Sequence, residues 1–227
     1  MSKFALILPA AGKSTRFGGV RSKVLETLAG QSVIARAIAP FLEHPQLAAV
    51  IIPCGDPEAI REAIGENIDS RIQFCEGGTS RAHSVLEGLK RVPAGVDWVA
   101  VHDAARPLVT LSLIDSTLRT AQEHGAAVPA LAVHLTIKEA HGPLPAPVER
   151  TIPRQSLWAM QTPQITRREW LGRAFESCPL PLEQVTDDMQ LIELMGEKVW
   201  LVTGDERNLK ITTAMDLQLA RMWLSAP

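Results

Sequence analysis

The sequence predicts an α/β domain: a single, mainly parallel sheet with helices on both faces and a protruding β-arm. Three observations predict it. Short apolar runs alternate with helical stripes along the chain, as strand–helix–strand crossovers require. Most of those runs are continuously apolar rather than alternating, which suits strands buried on both faces. Each polar cluster of note follows one of the runs, and ligands of such sheets sit beyond the carboxyl ends of the strands.

In chain order, the strand candidates are Phe4–Leu8, Ala48–Pro53, Arg71–Cys75, Trp98–Val101, Ala126–Ala130 and Lys198–Val202. Helical spacing fills the gaps. Ile60 and Ile64 lie four apart, Leu111, Ile114, Leu118 and Ala121 follow a 3-4-3 pattern, and Leu217, Ala220 and Leu224 form the last stripe. The stretch Val133–Arg154 departs from this plan. It alternates over Val133-His134-Leu135-Thr136-Ile137-Lys138, carries Pro143, Pro145, Pro147 and Pro153, and offers a return strand in Val148-Glu149-Arg150-Thr151-Ile152. The pattern reads as a hairpin arm with a proline-rich tip. A bare surface loop of that length is unusual in a compact domain. An arm over residues 133–154 that cannot bury its own faces usually finds a partner chain. No linker divides the 227 residues, and one domain over 1–227 is the expectation.

Composition narrows the function. Apolar residues make up 46% and charged residues 21%, with a net charge of −2, so bulk electrostatics argues against nucleic-acid binding. An anion site would have to be a local gathering of Lys and Arg. Cys54, Cys75 and Cys178 include no C-x-x-C pair, which points to free thiols in a reducing cytoplasm. The first apolar run is too short for a signal peptide. No segment approaches the ~20 apolar residues of a membrane helix, so no membrane association is expected.

The first candidate site is Leu8-Pro9-Ala10-Ala11-Gly12-Lys13-Ser14-Thr15-Arg16, followed by Lys23. The small side chains of Ala10, Ala11 and Gly12 let backbone approach a ligand, and Arg16 and Lys23 bring fixed positive charge suited to a polyphosphate. It is neither of two common phosphate motifs. A P-loop ending in Gly12-Lys13-Ser14 needs glycine at position 7, which is Ile7, and the dinucleotide fingerprint fails because Gly12 stands alone. Without a ligand, the stretch reads as a plain strand-to-helix turn.

Further clusters follow later strands. Glu76-Gly77-Gly78-Thr79-Ser80-Arg81-Ala82-His83-Ser84 allows close backbone approach and supplies hydroxyls for a base or phosphate. The same residues also read as a capped helix start, with Ser80 or Thr79 as the cap. His102-Asp103-Ala104-Ala105-Arg106-Pro107 places a carboxylate where it can meet a phosphate-bound Mg²⁺, beside an arginine able to clamp phosphate. An internal Asp103–Arg106 ion pair closing the turn is the alternative, and His102 reads as a packed turn residue. Thr186 before Asp187-Asp188 reads as a helix start with acids at its dipole. Lys210 follows the last strand, and its spacing serves a solvated loop residue equally well.

Taken together these residues resemble the 2-C-methyl-D-erythritol 4-phosphate cytidylyltransferase family. The matching pieces run nearly end to end: Pro9-Ala10-Ala11-Gly12 with Arg16 and Lys23; Gly77-Gly78 with Arg81 and Ser84-Val85; Val101 to Pro107; Thr136 with Lys138; Arg154 with Leu157-Trp158; Gln161-Thr162-Pro163-Gln164; Thr186-Asp187; and Asn208-Leu209-Lys210-Ile211-Thr212. Each piece is weak alone, and the ordered set is specific.

The resemblance implies a Rossmann-like, nucleotidyltransferase-like fold of GT-A type. It also implies an in-line reaction of CTP with methylerythritol phosphate that releases pyrophosphate. On that likeness Ala10, Ala11, Gly12, Gly78, Thr79, Arg81, Ser84, Asp103 and Ala104 surround the nucleotide. Arg16, Lys23, Arg154 and Lys210 carry the catalysis, and Asp103 lies near Mg²⁺. Arg106, Thr136, Arg154, Thr162, Thr186 and Lys210 face the acceptor, and the likeness implies a homodimer through the arm at about 133–154, with Thr136 and Arg154 lent by the neighbouring subunit.

Small departures exist. Val24-Leu25 follows Lys23, Thr79 stands where some members carry an acid, and Gly18-Gly19 predicts a flexible loop. The chain is expected to be too short for the cyclodiphosphate synthase sometimes fused to such enzymes. Two rivals remain at this stage: a ribitol 5-phosphate cytidylyltransferase, which would share the nucleotide half, and a nucleotide-binding scaffold without activity.

Overall fold

The computed structural model describes residues 2–12 and 22–225. Arg16 and the Gly18-Gly19 pair therefore lie outside the described residues. The strands are β1 (Phe4–Ile7), β2 (Thr27–Leu28), β3 (Gln31–Ser32), β4 (Leu47–Cys54), β5 (Ile72–Glu76), β6 (Trp98–Val101), β7 (Ala126–Ala132), β8 (Ile137–Glu139), β9 (Arg150–Ile152), β10 (Trp158–Met160), β11 (Gln164–Arg167) and β12 (Trp200–Thr203). The helices are α1 (Val33–Leu42), α2 (Pro57–Ile64), α3 (Arg81–Leu89), α4 (Leu111–His124), α5 (Arg168–Glu176), α6 (Asp188–Leu194) and α7 (Ala214–Ser225).

One sheet of eight strands organises the chain, in the order β5-β4-β1-β6-β11-β7. Beyond these, β7 pairs with β12 in parallel and with β10 antiparallel. The central pairs β1–β4, β1–β6 and β4–β5 are parallel, as the uninterrupted apolar runs predict. The six predicted strands are all present, with ends displaced by at most two residues.

Two strands of the main sheet escaped the apolar reading, as did the short separate pair β2–β3. β11 runs antiparallel between β6 and β7, and its residues Gln164 and Thr166 are polar yet buried. The Thr166 hydroxyl donates to the Gly125 carbonyl at 3.1 Å, so a polar side chain is satisfied inside the sheet. β10 has only three residues, and its apolar Trp158 and Met160 are exposed, so it is too short for its pattern to signal a strand.

Alternation along β1 divides the core into two layers. Phe4, Leu6 and Leu8 pack with Ile34, Ile38 and Phe41 of α1, Ile60 of α2 and Ile114 and Leu118 of α4. Ala5 and Ile7 face the other way, onto Val85 and Leu89 of α3, Leu171 of α5 and Ile192 of α6. Both faces of the sheet are therefore covered by helices, as expected. Within α4 the buried stripe begins at Leu113, while Leu111 is exposed at the helix start, immediately after the Thr110 cap. A smaller cluster seats α7 through Leu217 and Ala220 against Leu28, Val33 and Ile211.

The hairpin arm is present. β8 pairs antiparallel with β9, Ile137 facing Ile152 and Glu139 facing Arg150, as a two-stranded sheet separate from the main one.

Candidate active site

The carboxyl ends of β1, β5 and β6 open on one cavity of about 720 Å³. Its floor is the turn after β1. Leu8 N–H donates to the Ile51 carbonyl and Ala10 N–H to that of Pro53, both at 2.8 Å, so the β1–β4 ladder runs on into the turn and fixes Ala10 and Ala11. The turn after β5 lies against it. A Cβ on Gly77 would stand 2.4 Å from that of Ala11, and one on Gly78 would stand 2.3 Å from that of His83. Glycine is required at both positions by close packing.

Helix α3 starts at this edge. Ser80 caps it, accepting from the His83 amide at 3.2 Å. Ser84 is buried, accepts from Gly78 N–H and donates to the Ser80 carbonyl, each at 3.0 Å. Its hydroxyl thus braces the glycine turn while lining the cavity. Thr79 is exposed at the rim, 3.3 Å from His83 Nδ1.

A knot of charge forms the cavity's polar wall. Asp103 follows β6 and is nearly buried. Its Oδ1 lies 3.1 Å from Arg81 Nε, and its Oδ2 lies 2.9 Å from Lys210 Nζ and 3.6 Å from Arg106 Nε. Burial alone would raise this carboxyl, but Arg81, Lys210 and Arg106 together hold it well below the usual carboxylate range. Lys23, in a one-turn 3₁₀ helix at Lys23–Leu25, lines the same cavity with Ala104. Gly12, Thr79, Arg81, Ser84 and Lys210 also border it.

The segment Gln161-Thr162-Pro163-Gln164 ties this wall together from behind. Gln161 accepts from Asp205 N–H at 3.1 Å and donates to the Asp205 carbonyl at 2.8 Å, steadying the turn that leads to Lys210. Asn208 donates to the Thr162 carbonyl at 2.8 Å, and Arg106 donates to the Asn208 carbonyl at 2.7 Å. Thr162 Oγ1 accepts from Asp103 N–H at 3.1 Å and lies 2.9 Å from His102 Nδ1. His102 Nε2 meets the Arg106 carbonyl at 3.2 Å. A carbonyl only accepts, so the proton sits on Nε2 and Thr162 donates to Nδ1. Burial pushes the His102 imidazole down to about 4, which keeps this neutral tautomer. Gln164 Oε1 accepts from Asp188 N–H at 2.9 Å and Met189 N–H at 3.3 Å, pinning the start of α6.

Several residues expected at the site therefore stand behind it. Thr162 is buried with its hydroxyl committed on both sides, and Arg106 is tied to Asn208 and Asp103. The expected helix start near Thr186 is displaced: Asp187 is the cap, and Thr186 N–H and hydroxyl both bond Gln190. Thr136 and Arg154 are exposed on and beside the arm and do not reach the cavity of their own chain; Arg154 donates to the His134 carbonyl. Asp188, a helix-start acid by its sequence position, turns inward instead, 1% exposed, with Oδ2 2.8 Å from Arg81 Nη2. The acid pair Asp187-Asp188 was the available signal: only one of two adjacent residues can cap.

A larger cleft of about 1130 Å³ lies at the opposite end of β6, beside Trp98. Its cations are engaged locally: Lys90 pairs with Glu87 at 2.6 Å, Arg168 donates to the Pro93 carbonyl at 2.9 Å, and Arg167 stacks over the Trp98 ring at 5.0 Å. The chemistry gathers at the smaller cavity.

Comparison with known proteins agrees with this geometry. A family model described as 2-C-methyl-D-erythritol 4-phosphate cytidylyltransferase matches residues 4–226. The protein of that name from Symbiobacterium thermophilum is 38% identical over 220 residues, 97% of this chain and 92% of the relative. The bifunctional enzyme IspD/IspF of Desulfotalea psychrophila is 37% identical over 99% of this chain, which spans only 57% of that relative's length. Among solved structures, a 4-diphosphocytidyl-2C-methyl-D-erythritol synthase from Anaerococcus prevotii has a TM-score of 0.84 at 27% identity, covering 99% of each chain. The cytidylyltransferase from Thermus thermophilus has a TM-score of 0.79 at 30% identity, covering both chains in full.

Proposed function

Because the chain belongs to the 2-C-methyl-D-erythritol 4-phosphate cytidylyltransferase family, we propose that it joins CTP to 2-C-methyl-D-erythritol 4-phosphate and releases pyrophosphate. The observation that carries the reading is the cavity at the strand ends, where Lys23, Arg81 and Lys210 face two small-residue turns across a single carboxylate.

The reaction forms a bond from an acceptor phosphate oxygen to the α-phosphorus of CTP and breaks the bond from that phosphorus to the bridging oxygen. A phosphate monoester is already a nucleophile near neutral pH, so the obstacle is repulsion between two anions. Positioning and fixed positive charge remove it. In this reading Ala10, Ala11, Gly12, Gly78, Thr79, Ser84 and Ala104 enclose the nucleotide. Lys23, with Arg16, neutralises the triphosphate, and Lys210 steers the attacking phosphate. Arg106, Thr162 and Thr186 support the acceptor side, the first two by holding the loops that carry Asp103 and Lys210.

Mg²⁺ fits here in one manner. A hard divalent ion takes about six oxygens, and Asp103 is the sole carboxylate lining the cavity among the described residues. The residues thus suit an ion that arrives on the triphosphate, with Asp103 beside it. Its chemistry would be to offset phosphate charge.

The partner is a second copy of the chain. Leu135, Leu144 and Val148 of the arm are 77%, 86% and 57% exposed, and a lone two-stranded hairpin is marginal in water. Pairing would bring Thr136 and Arg154 to the neighbour's acceptor pocket. No helix among the described residues is long and apolar enough to cross a membrane, and the three cysteines are free, in keeping with the cytoplasmic location proposed here.

Pyrophosphate release from CTP, Mg²⁺ and methylerythritol phosphate tests the function. Lys23→Ala is expected to lower turnover about a hundredfold, the scale of removing one preorganised charge. A near-native rate in that variant, or faster turnover of ribitol 5-phosphate by the native chain, overturns the assignment.

A further inference from the structure

Asp188 opens α6, but the helix does not use it as a cap. Asp187 accepts from Gln190 N–H at 2.9 Å and from Gln164 Nε2 at 2.8 Å, leaving Asp188 turned into the fold. There its Oδ2 lies 2.8 Å from Arg81 Nη2. Among the described residues neither of its oxygens has a well-aligned hydrogen-bond donor. Arg81 continues to Asp103 Oδ1 at 3.1 Å, and Asp103 Oδ2 continues to Lys210 Nζ at 2.9 Å. Opposite charges therefore alternate from Asp188 through Arg81 and Asp103 to Lys210.

A buried carboxylate facing a single cation is a poor stabiliser, because desolvation offsets the attraction. Its effect on Arg81 is more specific. A guanidinium drawn to two carboxylates lies between them. Drawn to one, it closes as a two-pronged fork. Without the Asp188 charge, Arg81 would close on both oxygens of Asp103 and compete with Lys210 for the second.

We propose that Asp188 is a positioning residue for the transfer reaction: it holds Arg81 away from Asp103 Oδ2, so that Asp103 keeps Lys210 aimed into the cavity. This role rests on the cytidylyltransferase reading. It requires Asp188 to act through Arg81, which a double-mutant cycle detects.

The experiment measures kcat and the KM for CTP in native protein, Asp188→Asn, Arg81→Met and the double variant. Asp188→Asn is expected to lose tenfold or more in kcat, with a smaller change in KM and a near-native thermal midpoint. In the Arg81→Met background the same change is expected to cost nothing or to restore activity, since it removes a buried charge that has lost its partner. Should Asp188→Asn alone fail to fold, the double variant still decides: it must match or exceed Arg81→Met. Native-like kcat in Asp188→Asn, or a double variant less active than Arg81→Met, overturns the role. Absence of native turnover overturns the functional reading and this role with it.

Discussion

His102 shows how one buried side chain sets the shape of a reactive turn. Its ring links the Arg106 carbonyl to the Thr162 hydroxyl, which in turn receives Asp103 N–H. The chain of bonds needs a neutral imidazole, and burial supplies it by lowering the ring from its ordinary 6.5 to about 4. The sign of the consequence follows. The unfolded chain takes up a proton as pH falls through about 6.5, whereas the folded chain resists until about 4. The contribution of His102 to stability is therefore complete above the unfolded value and declines as pH falls between those limits, on the order of 3 kcal/mol at about 1.4 kcal/mol per unit. Urea denaturation at neutral and mildly acidic pH measures this, and a flat profile through the window contradicts the assignment. At this scale the strand-end rule located Asp103, because a charged residue directly after a buried strand is conspicuous in the sequence, whereas Lys210, seven residues beyond the largely exposed β12, reads equally well as a loop residue and is singled out by the family resemblance. Asp188 was hidden because its neighbour Asp187 satisfied the same local pattern, and only the tertiary fold decides which of the two turns inward.

Among the elements, β11 is the least legible and the most consequential. Apolar patterning does not reveal a strand in which Ile165 is the lone buried apolar residue between buried Gln164 and Thr166, whose burial is made tolerable by hydrogen bonds that appear only after folding. Helix α1 was likewise unassigned, although Ser32 caps it and Ile34, Ile38 and Phe41 form its buried stripe; Pro40 within it obscured the pattern. The arm, by contrast, was readable from alternation and proline content, because those are local properties. The Gln164 contacts lead to a measurable expectation. Gln164→Leu keeps similar bulk but strips the acceptor from Asp188 N–H and Met189 N–H and the donor from Asp187. A loss of about 2 kcal/mol is expected, the order of one or two unsatisfied buried groups. A loss within error of zero in chemical denaturation would show that water replaces these bonds.

At the scale of the whole molecule, the parallel sheet gathers distant segments at one rim: residues 9–12, 77–84, 103–106 and 208–210 meet there although they span most of the chain. The alternation of apolar runs with helical stripes, with a polar cluster after each run, makes that convergence readable in the sequence. The acceptor side is not, because Thr136 and Arg154 stand apart from their own cavity, and the place proposed for them at a second copy's site rests on the family resemblance. Deleting Gly142–Ala146 at the arm's tip is expected to leave a dimer with native turnover, whereas removing Val133–Arg154 should yield monomers without activity. Sedimentation together with pyrophosphate release distinguishes the two, and an active monomer lacking the whole arm would dismiss the shared site.

The short stretch Gln161-Thr162-Pro163-Gln164 fastens three loops from a single strand end: that of Asp103, that of Lys210 and the start of α6. Loops fastened to one post cannot drift independently. A change in any of them is felt by the other two, so natural variation has little freedom on the nucleotide side of the chamber. The hairpin carries no such tether and is free to diversify. On the proposed reading, new acceptors would then arise by remodelling the arm, with the frame on the cavity side inherited whole.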